Sequence, residues 1–249
     1  MKILAPLYEK DVLEELVSAG AREFYADVSD EELIDWDKIE DMACLAHKNG
    51  APFYISLYVR EYHEKNINFL ERYLEFLHRS GVDGIAVNVP ELVPIIRGFG
   101  MKAIASAECG IQTSGLAQWY KKIGVNRLVL SELLDYEDVS YMMDRVTGVE
   151  YEVLLMRESC CGTSGGGALP CCGQCALYQL LHMGVNAVKL TGYKKVRKDL
   201  VEDVKLTYRN LQIAHQCGSE AEYLKTMILP DNGRLYCGDR FSCYYPAVC

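Results

Sequence analysis

Residues 69–87 read FLERYLEFLHRSGVDGIAV, and their two rhythms decide the fold. Phe69, Leu70, Tyr73, Leu74 and Leu77 recur at helical spacing, which makes one face of an α-helix apolar. Gly81 follows the last periodic residue, where glycine is a common helix stop. Residues 84–87, GIAV, then run apolar without alternation, the pattern of a short strand buried on both faces. Helix, glycine and buried strand together form the unit of a parallel α/β sheet.

The same unit recurs on either side. Strands are predicted over 2–5, 23–26, 53–57, 102–105, 127–130, 151–155 and 187–190, with helices between them. The helical faces include Val12, Leu13, Leu16 and Val17, then Ile39, Met42, Ala43, Leu45 and Ala46, and last Val201, Val204, Tyr208 and Leu211. Glycines at 20, 50, 81, 124, 148 and 184 close successive helices. Eight strand–helix units within residues 1–217 predict an α/β fold, a closed (β/α)8 TIM-like barrel, with an open doubly wound sheet as the alternative. Residues 218–249 leave the pattern. They are expected to form a cysteine- and tyrosine-rich extension of the same domain, packed on the barrel, with one short helix over 220–227.

Bulk properties narrow the classes of function. Half the residues are apolar and 24% are charged, as in ordinary globular domains. A formal net charge of −9 disfavours bulk attraction to nucleic acid or to an anionic membrane. No apolar run approaches the roughly 20 residues of a membrane span, and the amino-terminal run meets Glu9, Lys10 and Asp11 too soon for a signal peptide. A cytoplasmic location is therefore expected, where thiols serve metals or catalysis more often than disulfides.

The thiols are concentrated. Five of the eleven cysteines, Cys160, Cys161, Cys171, Cys172 and Cys175, fall between positions 160 and 175. This loop follows the seventh strand, so connectivity puts it at the carboxyl end of the barrel, where such barrels carry their chemistry. If a helix starts after Pro170, Cys171 and Cys175 share a face of its first turn. Thiolates select iron–sulfur clusters or zinc. Cys172 and Cys175 make one zinc-type knuckle, but Cys160 and Cys161 do not make a second. A [4Fe-4S] cluster accepts a distant fourth thiolate, which Cys237 or Cys243 can supply. Iron–sulfur, zinc and unmetallated thiols all stay open on these residues. Cys44 reads as a buried core thiol, Cys217 as a helix-end residue, and Cys109 follows the fifth strand toward the mouth.

Polar residues at strand ends offer substrate contacts: Asp27, Asn88, Glu108, Gln112 and Glu132. Lys194, Lys195, Arg197 and Lys198 follow the eighth strand, where barrels often bind phosphate. Of these, Glu108, Gln112, Glu132 and Lys194 are the substrate-binding candidates. No Ser/His/Asp set and no His-Glu-x-x-His helix is present, and no histidine lies near the cysteine loop.

The order of several short motifs resembles the collagenase-like peptidase family of unassigned class. The carriers are Leu4-Ala-Pro6, Gly20-Ala-Arg-Glu-Phe-Tyr25, Ala46-His-Lys-Asn-Gly50, Gly81-Val-Asp-Gly-Ile85, Ala105-Ser106, Gly124-Val-Asn-Arg-Leu-Val-Leu130, Glu132-Leu133 and Gly184-Val-Asn-Ala-Val-Lys-Leu190 with Gly192. The resemblance spans roughly residues 3–210. That family includes the anaerobic ubiquinone-biosynthesis and RNA hydroxylation proteins, whose four cysteines bind a [4Fe-4S] cluster. Laid on this chain, their cysteines fall on Cys160, Cys171, Cys175 and Cys237, while another family cysteine falls on Gly167. The family's His-Gly after strand seven is Met156-Arg157 here, and its Glu and Arg after strand eight are Thr191 and Tyr193. Cys161 and Cys172 stand beside the aligned positions as alternative ligands. The resemblance implies an iron–sulfur oxidoreductase for oxygen-independent hydroxylation of a small molecule or RNA. Its alternatives are a peptidase, and a non-catalytic cluster carrier working with a second barrel subunit.

Overall fold

The computed structural model describes every residue except 30–35, 61, 158–170, 193–196, 231–242, 246–247 and 249. Its centre is a closed barrel of eight parallel strands. They are β1 (Lys2–Pro6), β2 (Glu23–Ser29), β3 (Phe53–Tyr58), β4 (Gly84–Val87), β5 (Lys102–Ala105), β6 (Arg127–Val129), β7 (Glu150–Arg157) and β9 (Ala187–Thr191). Numbered in chain order, β8 is the two-residue strand Cys171–Cys172. Neighbouring barrel strands follow chain order, and β9 pairs with both β7 and β1, which closes the circle and excludes the open sheet.

Helices α1 (Leu13–Ala19), α2 (Trp36–Lys48), α3 (Glu64–Arg79), α4 (Val93–Gly98), α5 (Ser114–Lys122), α6 (Tyr136–Arg145), α7 (Leu177–Met183) and α8 (Arg197–Gln216) connect the strands and surround them. A short α9 (Glu220–Thr226) follows. Side-chain caps start several of them: Asp135 accepts from the Asp138 amide at 2.9 Å, and Ser219 accepts from that of Glu222 at 3.3 Å. All six helix-ending glycines named above hold positive φ. At Gly20, φ is 119° and a Cβ would come 2.4 Å from the Tyr208 ring, so α8 packs onto α1 through a space only glycine leaves.

Most residues of the predicted apolar faces are buried, but Val17 and Leu45 are only partly so and Tyr208 of α8 is 37% exposed. Leu70, Tyr73, Leu74 and Leu77 of α3 are at most 1% exposed, but Phe69 lies at the edge of that stripe and is 45% exposed. Cys44 is exposed rather than buried, because α2 turns Ile39, Met42, Ala43 and Ala46 to the barrel and leaves position 44 outside that arc.

Parallel register places paired residues on the same side of the sheet, which separates lumen from outer face. Alternate strands fill the lumen in layers, as in other closed barrels of this kind. Leu4, Tyr54, Ile104 and Glu152 form one layer; Tyr25, Ala86, Val129 and Lys189 form the next toward the carboxyl end; Pro6, Ser56, Ser106 and Leu154 follow. The amino end is closed by ions. Arg127, 1% exposed, donates to Glu23 at 2.6 and 3.1 Å, to Glu150 at 2.8 Å and to Glu152 at 3.1 Å. Lys2 reaches Glu23 and Lys102 reaches Glu150, each at 2.9 Å. Burial opposes the Glu23 charge, yet Arg127 and Lys2 hold its carboxyl below the usual range. The amino end thus sets three cations against three carboxylates.

Candidate metal centre at the end of the seventh strand

The described cysteines of the loop sit where β7 outruns its neighbour. Strand β6 stops at Val129, opposite Glu152, so the last residues of β7 lack a partner on that edge. Cys171–Cys172 fills the place as an antiparallel return, with Cys172 opposite Met156 and Cys171 opposite Arg157. The amide of Gly173 then donates to the Leu155 carbonyl at 2.7 Å. Cys175 lies in the 3-10 turn Gln174–Ala176, and α7 begins only at Leu177. The expected single helical face for Cys171 and Cys175 is therefore replaced by a strand and a turn. The cause is the open β7 edge, whose amides and carbonyls need partners.

The tail closes on this strand. Cys243 forms a parallel bridge with Cys172, and the Tyr244 amide donates to the Cys172 carbonyl at 3.0 Å. Tyr245, 4% exposed, packs its ring so closely that a Cβ on Gly173 would stand 3.0 Å from it. Burial raises the Tyr245 phenol well above its ordinary value, and the charges of Tyr244, Cys175 and Cys243 add to the shift. Tyr223 is raised by burial and then by Cys175, Cys172 and Cys217. Cys172, Cys175 and Cys243 thus share one neighbourhood of buried phenols.

Beneath the turn, Gln174 is fully buried and anchors it. Its side-chain amide donates to Thr207 at 2.7 Å and contacts the Met156 sulfur at 2.9 Å, while its oxygen accepts from Asn210 at 3.1 Å. Tyr223 donates to the Gln174 carbonyl at 2.6 Å, and Asn210 exchanges two bonds with the Ile228 backbone at 2.8 Å. Three segments distant in sequence thereby fix one turn. The sequence reading missed this network; its signal was Thr207 and Asn210, two polar residues on the buried stripe of α8.

The donor chemistry suits a soft metal, since thiols from two segments meet at one strand end. Among the described residues, however, no three of His, Cys, Asp or Glu come together as a metal-holding group. Cys171 is disulfide-bonded, whereas Cys172, Cys175 and Cys243 retain their thiols. Cys160, Cys161 and Cys237 lie outside the described residues, as does Lys194.

The remaining substrate candidates follow β5 and β6. Glu108 and Gln112 are exposed around the β5–α5 connection. Glu132 is held by Arg157 at 3.4 Å across the ends of β6 and β7. Cys109 donates to the Val87 carbonyl at 3.3 Å, and burial raises its thiol pKa, which makes it a poor nucleophile.

Among the described residues, no helix is long and apolar enough to cross a membrane. No curated protein sequence matches the chain. Solved structures share its fold at low identity. A conserved Enterococcus faecalis protein of unknown function aligns with TM-score 0.55 and 9% identity, over 84% of this chain and 66% of its own. D-Psicose 3-epimerase from Clostridium cellulolyticum H10 aligns with TM-score 0.56 and 12% identity, over 87% of this chain and all of its own. A truncated 3-deoxy-D-arabino-heptulosonate 7-phosphate synthase from Thermotoga maritima aligns with TM-score 0.52 and 12% identity, over 82% and 85%. Sequence is more specific than shape: the model of Peptidase family U32 matches residues 12–169, more than half the chain, and the chain belongs to that family.

Proposed function

We propose that the protein is an iron–sulfur oxidoreductase whose cluster sits at the carboxyl end of β7. The observation that carries this reading is the bridge between Cys172 and Cys243, which draws a cysteine of the tail onto the cysteine strand. Cys171 and Cys175, with Cys160 and Cys237 from outside the described residues, are the first-choice ligands; Cys161 and Cys172 are the alternates. A disulfide sulfur does not ligate as a thiolate, so cluster loading requires Cys171 to be reduced. A reducing cytoplasm suits that requirement. When bound, a [4Fe-4S] cluster supplies one-electron chemistry, in keeping with oxygen-independent hydroxylation. The chain's own part is positional: Gln174 and Tyr223 hold the turn, and Tyr245 shields it from water.

The substrate in this reading is a small molecule or an RNA, and a second barrel subunit is a partner to look for. Zinc remains the alternative metal. A peptidase is the alternative activity, favoured by the family name.

Anaerobic purification followed by iron and acid-labile sulfide analysis tests the reading. Equal iron and sulfide with a brown absorption band, lost in a Cys171→Ser/Cys175→Ser variant, is expected. Colourless protein without sulfide after anaerobic reconstitution refutes it. Stoichiometric zinc, or peptide cleavage that survives replacement of Cys171, Cys172 and Cys175, favours the alternatives.

A further inference from the structure

The carboxyl half of the lumen holds an ammonium and a carboxylate that the ionic amino end leaves unused. There, Lys2, Lys102 and Arg127 meet Glu23, Glu150 and Glu152, and all six are engaged. Lys189 lies above them. Its register with Leu4 and Leu154 turns it inward, and its Nζ stands 4.0 Å from the Tyr25 ring centroid. Among the described residues no carboxylate pairs with it. Tyr25 is 1% exposed, whereas Lys189 is only partly buried. A tyrosine face returns only part of what a counter-ion gives a half-desolvated cation.

Asp27 lies nearer the mouth, two residues beyond Tyr25 on the same inward side of β2. Its Oδ2 accepts the Tyr8 hydroxyl at 2.6 Å, and its Oδ1 takes no hydrogen bond among the described residues. Ser106, 7% exposed, is in the layer between them, and its side chain bonds the Cys109 thiol. A cation and an acceptor therefore both stand at inward positions in the carboxyl half of the lumen, the space above the ionic layers.

We propose that this space binds a small monocarboxylate carrying a hydroxyl or ammonium group. The carboxylate pairs with Lys189, and the donor bonds Asp27. One ammonium beside one carboxylate matches a single negative charge; a phosphate dianion would meet Asp27 with only one cation to hold it. The proposal deepens the small-molecule form of the proposed function. It rests on the lumen alone, and binding can be read on the full chain with or without metal, so the two readings fail separately.

Titration calorimetry on the full chain tests it, with sodium lactate, alanine and sodium propionate as probes at matched chloride. Lactate or alanine is expected to bind at least about tenfold tighter than propionate, the worth of one charge-assisted hydrogen bond. Whichever wins says whether the donor is hydroxyl or ammonium. Lys189→Met should abolish binding while circular dichroism stays unchanged, Lys189→Arg should retain it within about tenfold, and Asp27→Asn should bring the winning probe level with propionate. Absence of heat with both lactate and alanine, equal affinity for all three probes, or undiminished binding in folded Lys189→Met overturns the proposal.

Discussion

Replacing Arg127 with methionine tests the account of the barrel's closed end most directly. The guanidinium makes four hydrogen bonds to three carboxylates, and the side chains of Glu23 and Glu152 are 0% and 2% exposed. Methionine fills much of the volume but leaves two buried carboxylates without their cation. Breaking a buried pair from one side costs about 3–5 kcal/mol, which in a chain this long lowers Tm by on the order of 10 °C. Urea denaturation followed by circular dichroism measures the loss. The pH dependence has a definite sign. In the wild type the Glu23 carboxyl is held low, so its contribution is present above the ordinary carboxylate range and is lost as pH falls through the lowered value. In the variant, burial acts with only Lys2 opposing it and pushes Glu23 upward, so acidification relieves the buried charge. The deficit should therefore shrink between about pH 8 and about pH 5, and adding Glu23→Gln should recover part of it. A loss below about 1 kcal/mol, the scale of an exposed pair, or a deficit that grows on acidification, would refute the reasoning.

Gly20→Ala should destabilise by more than about 1 kcal/mol, because φ of 119° is strained for alanine and the new Cβ would meet the Tyr208 ring; Gly50→Ala, with positive φ but open space, should cost less, and urea midpoints compare the two. Gln174→Leu should cost about 1–3 kcal/mol by removing the acceptor of one Asn210 amide hydrogen, the other staying on Ile228, and the donor to Thr207, and it should also speed alkylation of Cys175, which is 8% exposed in the native protein, as read by mass spectrometry.

The sequence by itself determined the succession of eight strand–helix units, whereas closure into a barrel rather than an open doubly wound sheet was decided by the pairing of β9 with both β1 and β7. Helical and buried-strand rhythms are local, and the glycines that end helices must take positive φ wherever the helices pack, so 1–217 could be divided into units without coordinates. The crowding of cysteines after the seventh strand was equally legible, because connectivity alone assigns that loop to the carboxyl end. Only the tertiary structure decided which strand residues face the lumen. Glu23 and Arg127, 104 positions apart, look like ordinary strand-end charges until barrel closure points them at each other. Lys189 looks like a stray charge within AVKL until register turns it inward. The return of Cys171–Cys172 along β7, in place of a helical turn, was likewise hidden. It depends on β6 ending early and leaving backbone groups to satisfy, a fact about a neighbouring strand that no local pattern in the cysteine loop can carry.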